Sequence, residues 1–228
     1  MIKEKKQGSL IIISGTTCAG KGAVIHALLE RNKNLSISIS YTSRPMREGE
    51  TNGVEYKFIS KEEFEEKIKN KDFLEYAIVH SKDYYGTPKA EIKDKLDSGQ
   101  DVILEIEVQG AMQIKEMFPE TILIFIMAPS MEEVKRRIKA RGKENNEQII
   151  RRFQSAYQEI NEIPKYNYVV VNDEIENAVQ KIEAILLSEK CRVDRIEEIS
   201  VENQEEIIHE FLMDKEFDNS ELYKDKLN

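Results

Sequence analysis

The stretch from Ser9 to Gly22 constrains the fold more than any other part of the chain. It reads Ser-Leu-Ile-Ile-Ile-Ser-Gly-Thr-Thr-Cys-Ala-Gly-Lys-Gly, an apolar strand followed by a loop between glycines and then a lysine. The spacing of Gly15, Gly20 and Lys21 fits a phosphate-binding P-loop, in which backbone N–H groups converge on phosphate oxygens. A helix is predicted from Ala23 to Leu29, so the positive end of its dipole would face the same anion.

The alternative interpretation of this stretch is a glycine-rich turn, but a turn requires neither the lysine nor this spacing. We therefore predict that the whole loop binds a nucleotide phosphate: Gly15, Thr16, Thr17, Cys18, Ala19, Gly20, Lys21, Gly22 and Ala23. A P-loop that ligates magnesium directly carries Ser or Thr after the lysine, whereas Gly22 and Ala23 offer no hydroxyl group. We predict no protein ligand for a metal here, so phosphates and water would hold any magnesium ion.

Apolar strands and amphipathic helices alternate along the chain, which predicts an α/β fold with a doubly wound parallel sheet. The predicted strands are mostly continuous apolar runs, as is typical of strands buried on both faces: Leu10 to Ser14, Leu35 to Ile39, Asp101 to Gly110, Thr121 to Met127 and Tyr168 to Val171. Residues 8–39, 89–134 and 153–195 would form this core. A chain of 228 residues is long enough for one core with small inserted lobes.

Residues 40–88 interrupt the alternation and predict a small mixed α/β lobe inserted between core strands. Ser60 to Asn70 is a predicted helix, in which Ser60 and Glu63 have the spacing of a capping box. Phe73 to Pro88 is rich in aromatic and β-branched residues and is predicted as a β-hairpin.

Charged side chains at two places predict ligand contacts. Arg44 and Arg47 are three residues apart across a proline, so they can direct two guanidinium groups at one phosphate. Two solvated surface arginines are an equally good interpretation. Glu105 and Glu107 stand near the carboxyl end of a predicted central strand, where ligands bind in open α/β sheets. We expect both to point to one face, with exposure at a sheet edge as the alternative.

The net charge of −9 is unevenly distributed along the chain. Residues 196–228 carry eleven carboxylates and three lysines, and we predict an acidic extension with a short helix, docked or solvated, rather than a partner-binding peptide. Residues 135–152 carry eight basic residues and two glutamates. One dense basic segment in an acidic chain favours a small anionic ligand over nucleic acid.

The sequence carries no signal for a membrane or an oxidising compartment. No run approaches eighteen apolar residues and the N-terminus has no apolar signal segment, so we expect a cytoplasmic protein that does not bind a membrane. Cys18 and Cys191 predict neither a disulfide framework nor a metal site. The sequence leaves open whether the protein is a monomer or a homo-oligomer.

Several motifs in a fixed order resemble the guanylate kinase family, and the resemblance covers about Ser9 to Lys190. They are the P-loop, Ser-x-Thr-x-Arg-x-x-Arg-x-Gly-Glu-x-x-Gly-x-x-Tyr at 40–56, Phe-Leu-Glu at 73–75, Tyr-Tyr-Gly-Thr at 84–87, Glu-Ile-Glu-Val-Gln-Gly at 105–110, Arg-Gly at 141–142 and Val-Asn-Asp at 171–173. The chain departs from the family pattern at Thr16-Thr17-Cys18, where Pro-Ser-Gly is usual, at Ala23, where a hydroxyl is expected, and at Glu105 and Glu107, where Asp is common.

The resemblance implies a P-loop kinase that transfers the γ-phosphoryl group of ATP to GMP or dGMP, with Mg²⁺ bridging the ATP phosphates. It implies that residues 40–88 bind GMP and that residues 135–152 form a small helical lid. The residues implied to bind GMP are Ser40, Arg44, Arg47, Glu50, Tyr56, Glu75, Tyr85, Gly86, Thr87, Glu105 and Glu107. Those implied to be catalytic are Lys21, Arg44, Arg137, Arg141 and Arg152, and Asn172 would lie near adenine or its ribose.

Three alternatives to this activity remain at the level of sequence. The first is a non-catalytic interaction module with the same fold, which the glycines and lysine of the P-loop disfavour. The second is a kinase for another phosphorylated acceptor, such as a ribose bisphosphate, which the base-binding set Ser40, Glu75 and Glu107 disfavours. The third is a weakly active protein with a regulatory role, which the altered P-loop allows.

Overall fold

The computed structural model of the chain describes residues 2–4, 7–79, 83–140 and 146–199. It contains two compact units, one within residues 6–187 and one whose described residues are 2–4 and 188–199. In the unit formed by the ends, strand β1 (Ile2–Glu4) pairs antiparallel with strand β11 (Ile196–Ile199), which the sequence pattern does not predict. The predicted helix of the acidic extension lies outside the described residues.

A sheet of five parallel strands forms the centre of the larger unit. Its spatial order is β10 (Tyr168–Val171), β9 (Ile122–Met127), β2 (Leu10–Gly15), β8 (Asp101–Glu105) and β3 (Leu35–Ile37). The prediction of a parallel α/β sheet is therefore confirmed. The carboxyl ends of β2, β8, β9 and β10 lie at one edge of the sheet, because parallel strands run in the same direction.

Helices cover both faces of this sheet because successive side chains of a strand point to opposite sides. Ile11 and Ile13 of β2 pack in one apolar cluster with α1 (Lys21–Arg31) and α7 (Ile175–Lys190). Leu10 and Ile12 pack in another with α3 (Lys89–Asp97) and α4 (Val108–Met117). These four isoleucine and leucine residues of β2 are all buried.

Strand β8 is shorter than its apolar sequence predicts. Its last residue paired with β2 is Glu105, opposite Ile13, and the backbone remains extended through Glu107, which is the N-cap residue of α4. The prediction of one strand through Gly110 is therefore wrong, because the chain enters helix α4 at Val108. The hydroxyl of Ser14 in β2 donates to Ile106 O at 2.7 Å beyond the last paired residues. That Glu105 and Glu107 point to one face stays a prediction.

A second sheet of four strands lies within residues 41–88. Its order is β5 (Lys57–Phe58), β4 (Tyr41–Thr42), β7 (Asp83–Pro88) and β6 (Phe73–Val79), with β6 and β7 antiparallel as predicted for a hairpin. Helix α2 (Lys61–Lys69) packs on this sheet through Phe64, whose ring stacks on Phe73 at 4.4 Å and on Tyr84 at 5.1 Å between centroids. Part of the predicted hairpin turn, residues 80–82, lies outside the described residues.

Two helices, α5 (Met131–Ala140) and α6 (Asn146–Ile160), follow β9 and carry part of the basic segment. They pack on each other through Val134, Ile138 and Ala156, and Cys18 of the P-loop packs against the same cluster. A short 3₁₀ helix (Ile163–Lys165) then leads into β10. None of the helices in the described ranges is long and apolar enough to cross a bilayer.

The capping box predicted for α2 is present in full. The Ser60 hydroxyl accepts a hydrogen bond from Glu63 N at 3.1 Å, and the Glu63 carboxylate accepts one from Ser60 N at 2.8 Å.

We expect Ser60→Ala to lower the free energy of unfolding by about 1 kcal/mol, since one N–H group of the first turn loses its partner. Urea unfolding followed by circular dichroism measures this loss. The control Glu62→Gln, at an exposed position of the same turn, should change it by less than about 0.5 kcal/mol; equal losses in both variants would contradict the capping role.

Candidate functional site

The loop between β2 and α1 has the geometry of an anion cradle. A side chain at Gly15 would overlap the carbonyl oxygen of Ile126 in β9, and a Cβ at Gly20, where φ is 84°, would lie 2.6 Å from Asn172 Nδ2. Both positions therefore require glycine. Lys21 Nζ donates to Gly15 O at 2.9 Å, so its ammonium group lies across the loop. The amino end of α1 opens at Gly22 and Ala23, which are exposed.

Two side chains from other elements hold the carbonyl groups of the loop. Asn172, at the carboxyl end of β10, donates to Ala19 O at 2.7 Å. Arg137 of α5 donates to Ala19 O at 3.2 Å and to Asn172 O at 3.1 Å, and Glu133 accepts from its Nε at 2.7 Å. The structure thus brings two predicted site residues to the loop, where both bind backbone carbonyls.

Glu159 of α6 binds the same loop from the other side. Its carboxylate accepts from Thr17 N at 2.7 Å and from the Thr17 hydroxyl at 3.4 Å. Burial raises the pKa of Glu159, while the Thr17 N–H group opposes that rise; the charge of Glu107 raises it further and that of Lys21 lowers it. The sequence analysis missed Glu159, because a single glutamate in an amphipathic helix matches no motif.

Glu105 and Glu107 lie beside the loop at the carboxyl end of β8. Glu105 reaches solvent, but the protein atoms around it raise the pKa of its carboxyl, as does the nearby charge of Glu107. The positive charge of Lys21 acts in the opposite direction. The two glutamates are therefore electrostatic neighbours of each other and of Lys21, although they do not share one strand.

A second group of predicted residues is built around Arg44, which is 6% exposed. Its Nη1 and Nη2 each donate to one oxygen of Glu50 at 2.7 Å, and its Nε donates to Tyr85 Oη at 3.1 Å. The guanidinium carbon lies 5.1 Å from the centre of the Tyr56 ring. The side chain of Arg47 is exposed, and its backbone N–H donates to Glu50 at 2.8 Å.

The charge-assisted pair of Arg44 and Glu50 shifts the titration of both partners. The hydrogen bonds from Arg44 lower the pKa of Glu50 from 4.5 to about 2, and the pKa of the guanidinium group is raised in return. Glu50 therefore stays ionised at neutral pH. A carboxylate that accepts at both oxygens fixes the orientation of the guanidinium group.

A third group lies where β6 and β7 meet α4. Glu75 is 7% exposed and accepts from the Thr87 hydroxyl at 2.6 Å, and Thr87 is fully buried. Burial raises the pKa of Glu75, and the bond from Thr87 opposes this shift. A Cβ at Gly110 in α4 would lie 2.6 Å from Glu75 Oε2, so glycine leaves room for the carboxylate.

The other predicted residues have less direct places in the described structure. Gly86 is buried in β7, and a Cβ there would lie 2.8 Å from the Phe64 ring, so its lack of a side chain serves the packing of the aromatic cluster. Ser40 is half-buried, and its carbonyl accepts from Lys57 N at 2.9 Å. Arg152 lies half-buried on α6, and Arg141 lies outside the described residues.

Two residues that the sequence analysis missed have signals that could have indicated them. Glu133 is four residues before Arg137 on one helix, the spacing at which an acidic and a basic side chain meet. Gly110 belongs to the Val-Gln-Gly motif, but its assignment to a strand concealed its contact with Glu75.

Comparison with known proteins gives consistent matches over most of the chain. A family model described as Guanylate kinase matches residues 7–189. The chain is 56% identical to the guanylate kinase of Clostridium tetani over 209 residues, 92% of this chain and 100% of that protein. It is 53% identical to the guanylate kinase of Clostridium perfringens over 213 residues, 93% of this chain and 98% of that protein. The crystal structure of guanylate kinase from Anaplasma phagocytophilum matches with a TM-score of 0.71 and 34% identity, over 85% of this chain and 92% of that chain.

The lowered pKa of Glu50 predicts how the Arg44–Glu50 pair contributes to stability. Its folded pKa of about 2 lies below the ordinary 4.5, so the contribution is present above pH 4.5 and is lost as pH falls through 2. We expect Glu50→Gln to be less stable than the parent at pH 7 and the difference to shrink on acidification. Urea unfolding at a series of pH values measures it, with the exposed neighbour changed in Glu48→Gln as control. A difference that stays constant from pH 7 to pH 2 would contradict the assignment.

Proposed function

The chain belongs to the guanylate kinase family, so its reaction is phosphoryl transfer from ATP to GMP, and we propose which of its residues perform each step. The observation that carries the proposal is the position of the loop from Gly15 to Lys21 at the edge of a parallel sheet, with Lys21 across it. The residues proposed to bind the acceptor GMP, around Arg44 and Glu75, lie in and beside the separate four-stranded sheet.

We propose that ATP binds with its phosphates on the loop and on the amino end of α1. Backbone N–H groups and Lys21 would hold the β- and γ-phosphates, which need positive charge during transfer. Magnesium would supply charge neutralisation between these phosphates. The loop residues fit an ion held by phosphates and water, since Gly22 and Ala23 carry no hydroxyl and no group of three metal-binding side chains occurs in the described ranges.

We propose that Arg44 holds the phosphate of GMP together with Arg47 and the hydroxyls of Tyr56 and Tyr85. A guanidinium group has five N–H donors, and Arg44 uses four of them on Glu50, Pro45 O and Tyr85. One Nη2–H is left for an incoming phosphate. The side chain of Arg47 is exposed and can swing toward the same anion, because its hydrogen bonds with Glu50 are made by its backbone N–H and carbonyl groups.

Glu75, Thr87 and Ser40 are proposed to bind the guanine base, with Glu107 nearby. Guanine presents N1–H and N2–H donors that a carboxylate accepts, whereas adenine presents the opposite pattern on that edge. A site that pairs such groups rejects the mismatched base by about 10⁴ to 10⁵. Burial raises the pKa of Glu75, and donors of a bound guanine would favour its charged form.

We propose that the arginines of the basic segment neutralise the charge that develops on the phosphoryl group during transfer. Arg137 already lies at the loop through Ala19 O, and Arg141 and Arg152 would complete the set from the segment that follows it. Phosphoryl transfer depends mostly on positioning and on neutralising charge at the equatorial oxygens.

Location in the cytoplasm and the lack of a nucleic-acid partner stay predictions.

The test is ADP release from Mg-ATP with GMP, dGMP, AMP, UMP or no acceptor. We expect turnover with GMP and dGMP alone, and Lys21→Ala should lower kcat by about 100-fold or more because the positive charge at the γ-phosphate is lost. The control Lys33→Ala removes an exposed lysine just beyond α1 and should leave turnover unchanged. Turnover with AMP or UMP would contradict the base site, and turnover without an acceptor would indicate an ATPase.

Gly110→Ala tests the base site without touching a predicted ligand. Alanine favours a helix over glycine by about 0.5 to 1 kcal/mol, but its Cβ would lie 2.6 Å from Glu75 Oε2. The carboxylate must then move, so we expect the free energy of unfolding to fall by about 1 to 2 kcal/mol. We expect KM for GMP to rise about tenfold, a loss of about 1.4 kcal/mol, while KM for ATP stays within about twofold. Steady-state kinetics with each substrate varied measure both. An unchanged KM for GMP would show that Glu75 does not hold the base.

A further inference from the structure

Cys18 has a backbone conformation that its side chain disfavours. Its φ is 62°, in the left-handed region, where a residue with a Cβ costs about 1 kcal/mol or more. Such strain persists only where the surrounding structure fixes the backbone on both sides. Within the loop, Ala19 N donates to Thr16 O at 3.0 Å across Cys18. Contacts from neighbouring elements must hold the rest of the loop in shape.

Backbone groups of the residue before Cys18 and of the residue after it are bound by side chains of opposite character. After it, the carbonyl of Ala19 accepts from Arg137 and Asn172. Before it, the N–H group of Thr17 donates to Glu159 at 2.7 Å, and the Thr17 hydroxyl donates to the other carboxylate oxygen at 3.4 Å. These contacts fix the direction of the backbone as it enters and leaves Cys18.

We propose that Glu159 is a positioning residue for ATP binding, which holds Thr17 so that Cys18 keeps the left-handed conformation of the phosphate loop. The inference rests on the proposed ATP site. Glu159 is not itself among the residues predicted to bind ATP, and it would act through Thr17, which is. Its bond to the Thr17 N–H group is of the charge-assisted kind, which is stronger than a neutral one. Its half-buried position limits competition from water.

The position of Glu159 also connects the loop to the basic segment. Arg152, Ala156 and Glu159 recur at the spacing that places residues on one face of a helix, here α6. Ala156 is buried in the cluster that includes Cys18. The helix that carries a proposed phosphate-binding arginine is therefore fixed to the loop by one carboxylate and one apolar contact.

The experiment compares Glu159→Ala and Glu159→Gln in the parent and in a Cys18→Gly background. In the parent, Glu159→Ala should raise Kd and KM for ATP about tenfold, the effect of losing a charge-assisted hydrogen bond. Glu159→Gln, which keeps a neutral acceptor, should raise them about threefold. KM for GMP should stay within about twofold. Glycine adopts the left-handed region without cost, so in the Cys18→Gly background the effect of Glu159→Ala should shrink to about twofold.

Glu147→Ala is the matched control, because Glu147 is an exposed carboxylate on the same helix; Kd for ATP should not change. The proposal is overturned if Glu159→Ala leaves Kd for ATP unchanged, if it weakens ATP and GMP equally, or if Cys18→Gly does not reduce its effect. Direct titration with ATP measures its Kd without GMP present, so the result does not depend on phosphoryl transfer. Failure of the parent to phosphorylate GMP would contradict the proposed function, while the ATP titrations would still decide the role of Glu159.

Discussion

The close approach of strands β2 and β9 at Gly15 is the contact on which the rest of the site depends. The missing side chain lets the backbone turn directly against Ile126 O, and Thr16 N donates to that same oxygen at 3.1 Å. The loop that follows is thereby placed between the ends of β8 and β10, within reach of Asn172 and Glu105. A side chain at this position would move the loop away from every group that now surrounds it.

Preorganisation of charge is the second theme of the structure. Three cations with a proposed role are already held: Lys21 by a loop carbonyl, Arg137 by Glu133 and two carbonyls, and Arg44 by both oxygens of Glu50. Groups oriented in advance need little reorganisation when charge develops on a transferring phosphoryl group, which is the main source of electrostatic catalysis. The carboxylates Glu50 and Glu133 therefore act by orienting arginines.

The residues proposed to bind GMP are carried by a sheet whose strands are only two to seven residues long. Side-chain packing explains why they keep their places. Phe64, Phe73 and Tyr84 stack in one aromatic cluster that joins α2 to its sheet, and Gly86 leaves the space for two of these rings. Aromatic pairs of this kind add about 0.5 to 1.5 kcal/mol each beyond the area they bury. The small sheet thus gains from a few large side chains the rigidity that its short strands lack.

The sequence by itself determined the elements whose cause is local. Gly15, Gly20 and Lys21 predicted a phosphate loop between a strand and a helix, and the capping box fixed the start of α2. Mostly apolar runs, and the alternation of apolar residues with serine at Leu35 to Ile39, predicted the five parallel strands. Tertiary structure decided what depends on contacts between distant residues. Strand β8 ended at Glu105, where its pairing with β2 stops opposite Ile13, and Glu159 reached Thr17 across 142 positions of the chain. No local pattern encodes such a meeting, because the loop with the left-handed Cys18 and the carboxylate that binds Thr17 come together only after the helices have packed.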